Sequence, residues 1–447
     1  MDELVDGFAY QAPLPADPVE APAGPWWTDF GDAGMDATIE AVLANNYDLQ
    51  EAAARVRSAA AVAEAVAGAS LPQLGAGLQS RRNRSVIIGL PIPGAPSPFA
   101  TTATQHDLGL DLSWEVDLWG RLDADERAAV ADLESAAAGL DGARLSLSGL
   151  AAKAWLGVVE AQRQEALAAD QVANAEDLLA HLRRAYAQGG PSTPIPAAES
   201  SLAAARTGLE NARRTTAVRE RGLATLLGAA STTRADYLPD ATVALPQLPA
   251  AVPVGLPADL LARRPDLKQA EAALRAADAR SASARRALYP SLTLTASGGT
   301  SSDALGDLLD GDFSVWSLAG GLTAPLFQGG RLRANLAANE AGAEAASWAF
   351  ARGVLGALIE VESALVVEAA LRAQLDRLGE QRQADERRVA QAERLYRTGV
   401  GPAADIFTLR SELLRTASQE LGLALLLLDN RIDLHLALGG EFTPSQS

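Results

Sequence analysis

The stretch LGLDLSWEVDLWGRL, residues 108–122, decides the fold because two structural periods meet within it. From Leu108 to Leu118 every second residue is apolar, and the residues between them are Gly, Asp, Ser or Glu. This alternation predicts a β-strand with one apolar and one polar face. About 11 such residues suit a tilted strand that crosses a membrane. From Gly120 onward the spacing of apolar residues becomes helical.

A very long helix is predicted directly after this strand. No proline occurs from Gly120 to Gln188, and Ala, Leu, Glu and Arg dominate the segment, a composition that favours helix. A helix over 120–188 would be about 100 Å long, at about 1.5 Å per residue. Gly189 and Gly190 break the pattern, and a second helix is predicted over 194–228.

The chain carries an internal duplication. Asp48 and Asp266 lie in similar helical segments at an offset of 218, and a proline follows each segment at the same offset. Arg121 and Arg331 follow the strands at an offset of 210, as do Tyr186 and Tyr396 before the helix breaks. Four matches in one order predict two repeats of one structural unit.

The repeats set the predicted boundaries. Each repeat should contain a helix, a β-hairpin, a long helix and a shorter helix. The predicted segments are an N-terminal extended segment 1–29, repeat 1 over 30–247, a linker 248–257, repeat 2 over 258–440 and a C-terminal tail 441–447. Repeat 1 has its first helix over about 30–70 and its hairpin over 72–119; repeat 2 has its hairpin over 290–327, its long helix over 330–398 and its last helix over 402–438.

Composition excludes several classes of function. The formal charge of −18 argues against nucleic-acid binding, which needs a basic surface. The chain has no cysteine, so disulfides and thiolate metal sites are excluded. His106, His181 and His435 are widely separated and are expected on the surface or lining a cavity. No catalytic set, metal site or cofactor motif is found, so the chain is not expected to be an enzyme.

Four membrane strands in one chain cannot close a barrel, and open strand edges are not tolerated in lipid. Closure therefore requires an oligomer. The competing interpretation is a soluble helical scaffold or adaptor protein with an internal antiparallel sheet. Helices of about 100 Å favour the channel, because they are too long to pack on a small sheet.

With the duplication established, the chain resembles the TolC-like outer-membrane efflux protein family over nearly its whole length. Within it, the chain is similar to the lipoprotein (NodT/OprM-like) branch that serves RND multidrug pumps. The segments that carry the resemblance are Trp26–Phe30, Asn45–Leu49, Arg263–Asp266, Tyr289–Leu292, Pro325–Phe327, Gly329–Arg331 and Ala437–Gly440.

The resemblance implies an α+β membrane protein: a long α-helical periplasmic barrel and a transmembrane β-barrel closed by a homotrimer. It implies a passive export duct for small molecules and drugs in the outer membrane, extending into the periplasm. The implied partners are a periplasmic adaptor protein, an inner-membrane RND transporter and outer-membrane lipid. A type I secretion exit duct on the same fold is the alternative.

The given sequence starts without the basic and apolar segments of a signal peptide. The lipoprotein branch carries an acylated cysteine at the mature N-terminus, whereas this sequence has no cysteine. We therefore expect either that signal peptide and anchor were removed or that the protein is unlipidated.

The resemblance also implies a periplasmic gate beside the second helix break. The matching residues are Asp405 and Tyr396, and three copies of Asp405 around an axis would attract cations. Asp405 could instead cap the last helix. Pro194 aligns near Asp405 in the first repeat, so one repeat alone would supply the acid. The candidate adaptor-docking turns are Gly189, Gly190, Val400 and Gly401, although most such glycines only end helices.

The strand alternation predicts which residues face lipid and which face the lumen. Asp111, Glu115 and Asp117 are predicted to line the lumen, either favouring cations or only keeping it hydrated. The predicted lipid-facing or interface residues are Leu110, Leu112, Trp114, Trp316 and Leu322. Core packing is the alternative for the tryptophans.

Overall fold

The computed structural model describes residues 25–87, 99–228, 239, 243–249 and 263–440. The proline-rich loop 90–98, the C-terminal tail 441–447, and most of the N-terminal segment 1–29 and the linker 248–257 lie outside the described residues.

The described residues form seven α-helices and four β-strands. The helices are α1 Ala33–Asn45, α2 Tyr47–Gly68, α3 Arg121–Ala187, α4 Pro194–Leu226, α5 Pro265–Arg286, α6 Arg331–Arg397 and α7 Ala403–Ala437. The strands are β1 Gln73–Ile87, β2 Phe99–Val116, β3 Ser291–Ser302 and β4 Ser314–Thr323. The long helices α3 and α6 have 67 residues each, or about 100 Å at about 1.5 Å per residue.

The chain divides into two compact units. The helical unit comprises Met1–Ala54, Ala138–Lys268 and Ala351–Ser447, and the sheet unit comprises Arg55–Ala137 and Gln269–Phe350. Each unit takes segments from both halves of the chain, as a duplicated sequence requires.

The sheet unit is built around one antiparallel sheet in the order β1-β2-β3-β4. The register pairs Leu74 with Leu112, Leu112 with Ala296 and Ala296 with Leu318. Within the described residues, β1 and β4 each keep one edge without a strand partner. Both edges therefore expose backbone groups that can pair with another strand.

The first helix differs from the prediction. The sequence predicts one helix over about 30–70, whereas the structure has α1 and α2 separated at Asn46. The backbone of Asn46 is extended, with φ −67° and ψ 132°. Its Oδ1 accepts from the Asp48 amide at 2.8 Å, and its Nδ2 donates to the Leu226 carbonyl at 3.1 Å. The buried amide thus ends one helix and begins the next.

Two further boundaries are corrected. Trp26–Phe30 form a 3₁₀ helix where an extended segment was predicted, and Asp32 then caps α1 through the amides of Gly34 and Met35. Strand β4 ends at Thr323, short of the predicted end at 327, because Pro325 cannot donate to the ladder.

The core of the helical unit lies where α1, α3, α4 and α7 pack together. Met35, Ile39 and Val42 of α1 are fully buried, as are Leu156 and Leu223. The apolar periodicity of α7 adds Leu428 and Ile432 to the same cluster, which burial stabilises.

Candidate functional site

One face of the sheet is apolar across all four strands. Side chains alternate along a strand, and the register aligns the apolar positions of neighbouring strands. The residues on this face are Leu74, Ala76 and Leu78 of β1; Leu108, Leu110, Leu112, Trp114 and Val116 of β2; Leu292, Leu294 and Ala296 of β3; and Trp316, Leu318 and Leu322 of β4.

This apolar face is largely uncovered. Leu110 is 52% exposed, Leu322 66% and Trp316 82%, while Leu112 and Trp114 are half-buried. Exposed apolar patches of this extent mark a surface that contacts lipid or another protein. All five residues predicted to face lipid lie on this one face.

The opposite face is polar and rich in glycine. It carries Asp107, Asp111 and Ser113 on β2 opposite Ser301, Ser297 and Thr295 on β3. Gly109 and Gly299 face each other on it. A Cβ on Gly299 would lie 2.1 Å from the Leu108 carbonyl oxygen, so the two strands approach too closely there for any larger residue.

The three acids predicted to line the lumen have different surroundings. Asp111 is exposed on the polar face. Glu115 pairs with Arg121 at 2.8 Å. Asp117 lies beyond the end of β2, and its Oδ2 accepts from the Asp123 amide at 2.9 Å, so it caps α3. Within the described residues, Asp111 is the only one of the three whose carboxylate makes no ion pair or hydrogen bond.

Tryptophans mark the end of the sheet that joins the helices. Trp114 Nε1 donates to the Ser70 carbonyl at 2.9 Å, and Trp119 Nε1 donates to the Pro290 carbonyl at 2.7 Å. The Trp119 ring lies 5.4 Å from that of Tyr289. Aromatic residues with one polar contact suit a membrane interface.

The two helix breaks share one backbone geometry. After α3, Gly189 has φ +90° and donates to the Tyr186 carbonyl, while the Gly190 amide bonds to the Ala185 carbonyl. After α6, Gly399 has φ +76° and donates to Tyr396, while the Val400 amide bonds to Leu395. Both are Schellman motifs, which end helices at a left-handed residue. Gly399 therefore corresponds to Gly189, in agreement with the sequence offset of 210.

The candidate gate residues lie beside the second break. Asp405 is exposed near the start of α7, whose N-cap is Pro402 without a side-chain hydrogen bond. Within the described residues its carboxylate makes no capping bond. By helix position its counterpart at the start of α4 is Pro196, not Pro194. One repeat alone supplies an acid there.

Tyr396 is 46% exposed and belongs to a ring contact between three helices. The His181 ring of α3 lies 6.3 Å from Tyr396 of α6 and 6.1 Å from Phe407 of α7. The three rings fix the neighbouring helix ends to one another.

Sequence reasoning missed a buried ion pair in the helical unit. Arg431 is 1% exposed and donates to both oxygens of Glu368, at 2.9 and 2.6 Å. Burial raises the pKa of Glu368, but the guanidinium groups of Arg431 and Arg372 together outweigh burial and hold that pKa below its ordinary value. An arginine within the apolar run of α7 is the signal that could have indicated the pair.

His435 is buried beside this pair, whereas the sequence predicted a surface or lining position. It is 1% exposed, and its ring stacks on Trp26 at 5.5 Å. Burial, with the nearby Arg431 charge, lowers the pKa of His435 to about 4. The histidine therefore remains neutral in the core.

The Arg263–Asp266 motif has a structural role. Arg264 donates to both oxygens of Asp266 at 3.0 and 2.8 Å, to the Ala437 carbonyl at 3.0 Å, and pairs with Glu360 at 2.8 Å. Burial acts against the ionised form of Asp266, yet Arg264 holds the pKa of Asp266 below its ordinary value. The motif joins the start of α5 to the end of α7.

The described residues contain neither a metal-binding cluster nor an apolar helix long enough to cross a membrane. No group of three or more His, Asp or Glu side chains there could hold a metal ion. Among the helices of the described ranges, none is both long and apolar enough to cross a membrane.

Two long helices, a duplicated order of elements and a sheet with one exposed apolar face together define the class of outer-membrane channel proteins. The chain belongs to the outer membrane efflux protein family, whose model matches residues 38–229 and 256–440.

Individual relatives agree with this assignment. The pyoverdine export outer membrane protein OpmQ of Pseudomonas putida is 33% identical over 96% of this chain and 91% of that protein. The toluene efflux pump outer membrane protein TtgF of P. putida is 35% identical over 70% of this chain and 63% of that protein. The outer-membrane channel OprN has a similar structure, with a TM-score of 0.87, 26% identity and 98% coverage of both chains. The predicted TolC-like fold class and outer-membrane location are confirmed.

Proposed function

We propose that the protein is the outer-membrane channel of a tripartite efflux system and acts as a passive exit duct for small molecules. The observation that carries this proposal is the exposed apolar face that continues in register across all four strands. In water such a face would promote aggregation, whereas in lipid it is the stable arrangement.

Closure of the sheet requires further copies of the chain. The free edges of β1 and β4 would leave backbone groups unsatisfied in lipid. Pairing β4 of one copy with β1 of the next satisfies both edges, and three copies of the four-stranded sheet give twelve strands. Two copies would give a narrow closed sheet, and the family resemblance favours three.

The long helices supply the second part of the duct. In a trimer, α3 and α6 with their shorter companions would surround the periplasmic continuation of the channel. Its end carries the two Schellman turns, so Gly189, Gly190, Val400 and Gly401 are the proposed contacts for a periplasmic adaptor. An inner-membrane RND transporter would supply the energy and choose the substrate.

We assign the gate to Asp405 and Tyr396. The exposed Asp405 carboxylate would recur three times around the axis, and like charges held close together repel one another while attracting cations. The ring contacts of Tyr396 with His181 would hold the neighbouring helix ends together in the closed form.

The protein performs no chemistry of its own in this proposal. Its relatives are named for pyoverdine export and toluene efflux, and we propose small organic molecules as the cargo here. Because pump and adaptor select the cargo, the duct needs only a hydrated lumen, to which the polar sheet face contributes.

Insertion into lipid tests the proposal. The purified protein should require detergent, insert into liposomes and release a trapped small dye while retaining a trapped folded protein. A detergent-free, monodisperse monomer would contradict the channel and favour the soluble scaffold. Release of unfolded polypeptide at the same rate as the dye would favour the secretion duct.

A further inference from the structure

Strand β1 carries three arginines beyond its apolar rows. Because side chains alternate, Arg82 and Arg84 lie on the same face as Leu74 and Leu78, and Arg81 lies on the polar face. All three arginines are exposed. The apolar face therefore changes, along one strand, from leucine to arginine.

The change occurs at the height expected for a membrane boundary. The apolar rows extend along β2 from Val116 to Leu108, about 26 Å along the strand at about 3.3 Å per residue, which is about 20 Å of height at a strand tilt of roughly 40°. The apolar band of outer-membrane strands is about 25 Å tall. Arg82 lies four residues beyond Leu78, about 13 Å further along the strand and about 10 Å in height at that tilt. This places Arg82 at headgroup level, with Arg84 two residues further out.

The chain connections identify which boundary this is. β1 follows α2, β2 precedes α3, β3 follows α5 and β4 precedes α6, so all four connections to helices lie at one end of the sheet. Arg82 and Arg84 lie towards the other end, where the strands of each hairpin are joined. With the helices in the periplasm, that end contacts the outer leaflet.

The surroundings of the two arginines complement an anion. Their ladder partners are Thr104 and Thr102, and the preceding row contains Ser80 and His106. The acids of β2 lie on the opposite face. Within the described ranges neither Arg82 nor Arg84 has an ion pair. The guanidinium fork matches phosphate oxygens in a bidentate geometry.

We propose that Arg82 and Arg84 bind the phosphate groups of lipopolysaccharide in the outer leaflet and so fix the depth of the sheet in the membrane. The inference rests on the proposed function, since it needs the sheet to cross the outer membrane. It adds a lipid partner and the two residues that recognise it.

The test uses the full-length protein in detergent with purified bisphosphorylated lipid A and with its dephosphorylated form. We expect Arg82→Gln combined with Arg84→Gln to weaken lipid A binding at least tenfold. Arg81→Gln, a matched change on the other face of the same strand, should alter binding less than twofold. Dephosphorylated lipid A should bind the unaltered protein as weakly as lipid A binds the double variant.

Equal binding by the double variant and Arg81→Gln, or no effect of removing the phosphates, would overturn the proposal. Loss of the oligomer by the double variant in lipid-A-free detergent would also overturn it, because the arginines would then pair with carboxylates of a neighbouring copy. Conductance of the unaltered protein in bilayers without lipopolysaccharide tests the channel separately, so the two failures are distinguishable.

Discussion

At the residue scale, Asp405 is the group whose charge bears most directly on passage. Its carboxylate is exposed and does not cap α7 within the described residues. If Asp405 only capped the helix, replacing it would leave conduction unchanged. If Asp405 belongs to the gate, replacing it would change conduction.

We expect Asp405→Ala to raise single-channel conductance in planar bilayers several-fold and to reduce cation preference, because a ring of negative charge is removed. Asp170→Ala is the matched control, an exposed acid within α3, and should conduct like the unaltered protein. Identical conductance of both variants would remove Asp405 from the gate.

A second residue-scale prediction concerns Asp429 in the helical unit. Burial raises the pKa of Asp429 to about 6, with Asp433 and Glu160 acting in the same direction and Lys153 and Arg219 opposing them. The folded state therefore disfavours the ionised form. The resulting penalty is present above pH 6 and disappears as the pH falls towards the ordinary pKa of 3.8.

Asp429→Asn should thus stabilise the helical unit by about 1–2 kcal/mol at pH 8, after allowance for solvent screening, and by almost nothing at pH 4. Denaturant unfolding followed by helical circular dichroism measures the difference. Asp170→Asn, at an exposed acid of the same unit, is the control and should change the stability little at either pH. A gain from Asp429→Asn that is equal at both pH values would contradict the raised pKa.

Single residues also show where prediction from sequence ends. The alternation from Leu108 to Leu118 predicts which face of the sheet carries Leu110 and Trp114, because successive side chains of a strand point to opposite faces. The Arg431–Glu368 ion pair joins residues that are 63 positions apart in the sequence. The ring that stacks on the buried His435 belongs to Trp26, which lies 409 positions away in the N-terminal region. No local pattern encodes such contacts.

At the element scale, the sheet depends on the close approach of β2 and β3. A Cβ on Gly299 would lie 2.1 Å from the Leu108 oxygen and 2.6 Å from the Gly109 Cα, whereas a Cβ on Gly298 would enter open space. A substitution at Gly299 therefore tests the close approach of the strands, and the same substitution at Gly298 controls for the general effect of replacing a glycine.

Gly299→Ala should destabilise the sheet by about 1–3 kcal/mol, because backbone atoms must move to admit the methyl group. On electrophoresis of unheated samples, we expect the Gly299→Ala variant to contain much less of the folded protein, which migrates separately from the unfolded chain. Gly298→Ala should retain that species at the level of the unaltered protein. Equal loss in both variants would show that the close approach is not required.

The elements differ in how far sequence could predict them. Uninterrupted, proline-free segments give the long helices α3 and α6, and the Pro325 position limits β4. The division of the first helix at Asn46 was missed because the alanine-rich periodicity continues across it. Its cause is a contact with the distant Leu226 carbonyl, which only the folded chain supplies.

At the scale of the whole molecule, the duplication accounts for the order of the helices and strands. Each repeat supplies one hairpin to the sheet and one 67-residue helix, and the two Schellman turns end these helices in the same way. The repeats differ where function is proposed: Asp405 occurs in the second repeat only, and Arg82 and Arg84 in the first.

The measurement that tests the central claim most directly is the number of copies in one conducting unit. Native mass spectrometry of the protein in lipid nanodiscs should give the mass of three chains, and the same preparation should show a single conductance step in planar bilayers. Conduction by a monomer or a dimer would contradict the account. So would a trimer that fails to conduct both with and without an adaptor protein.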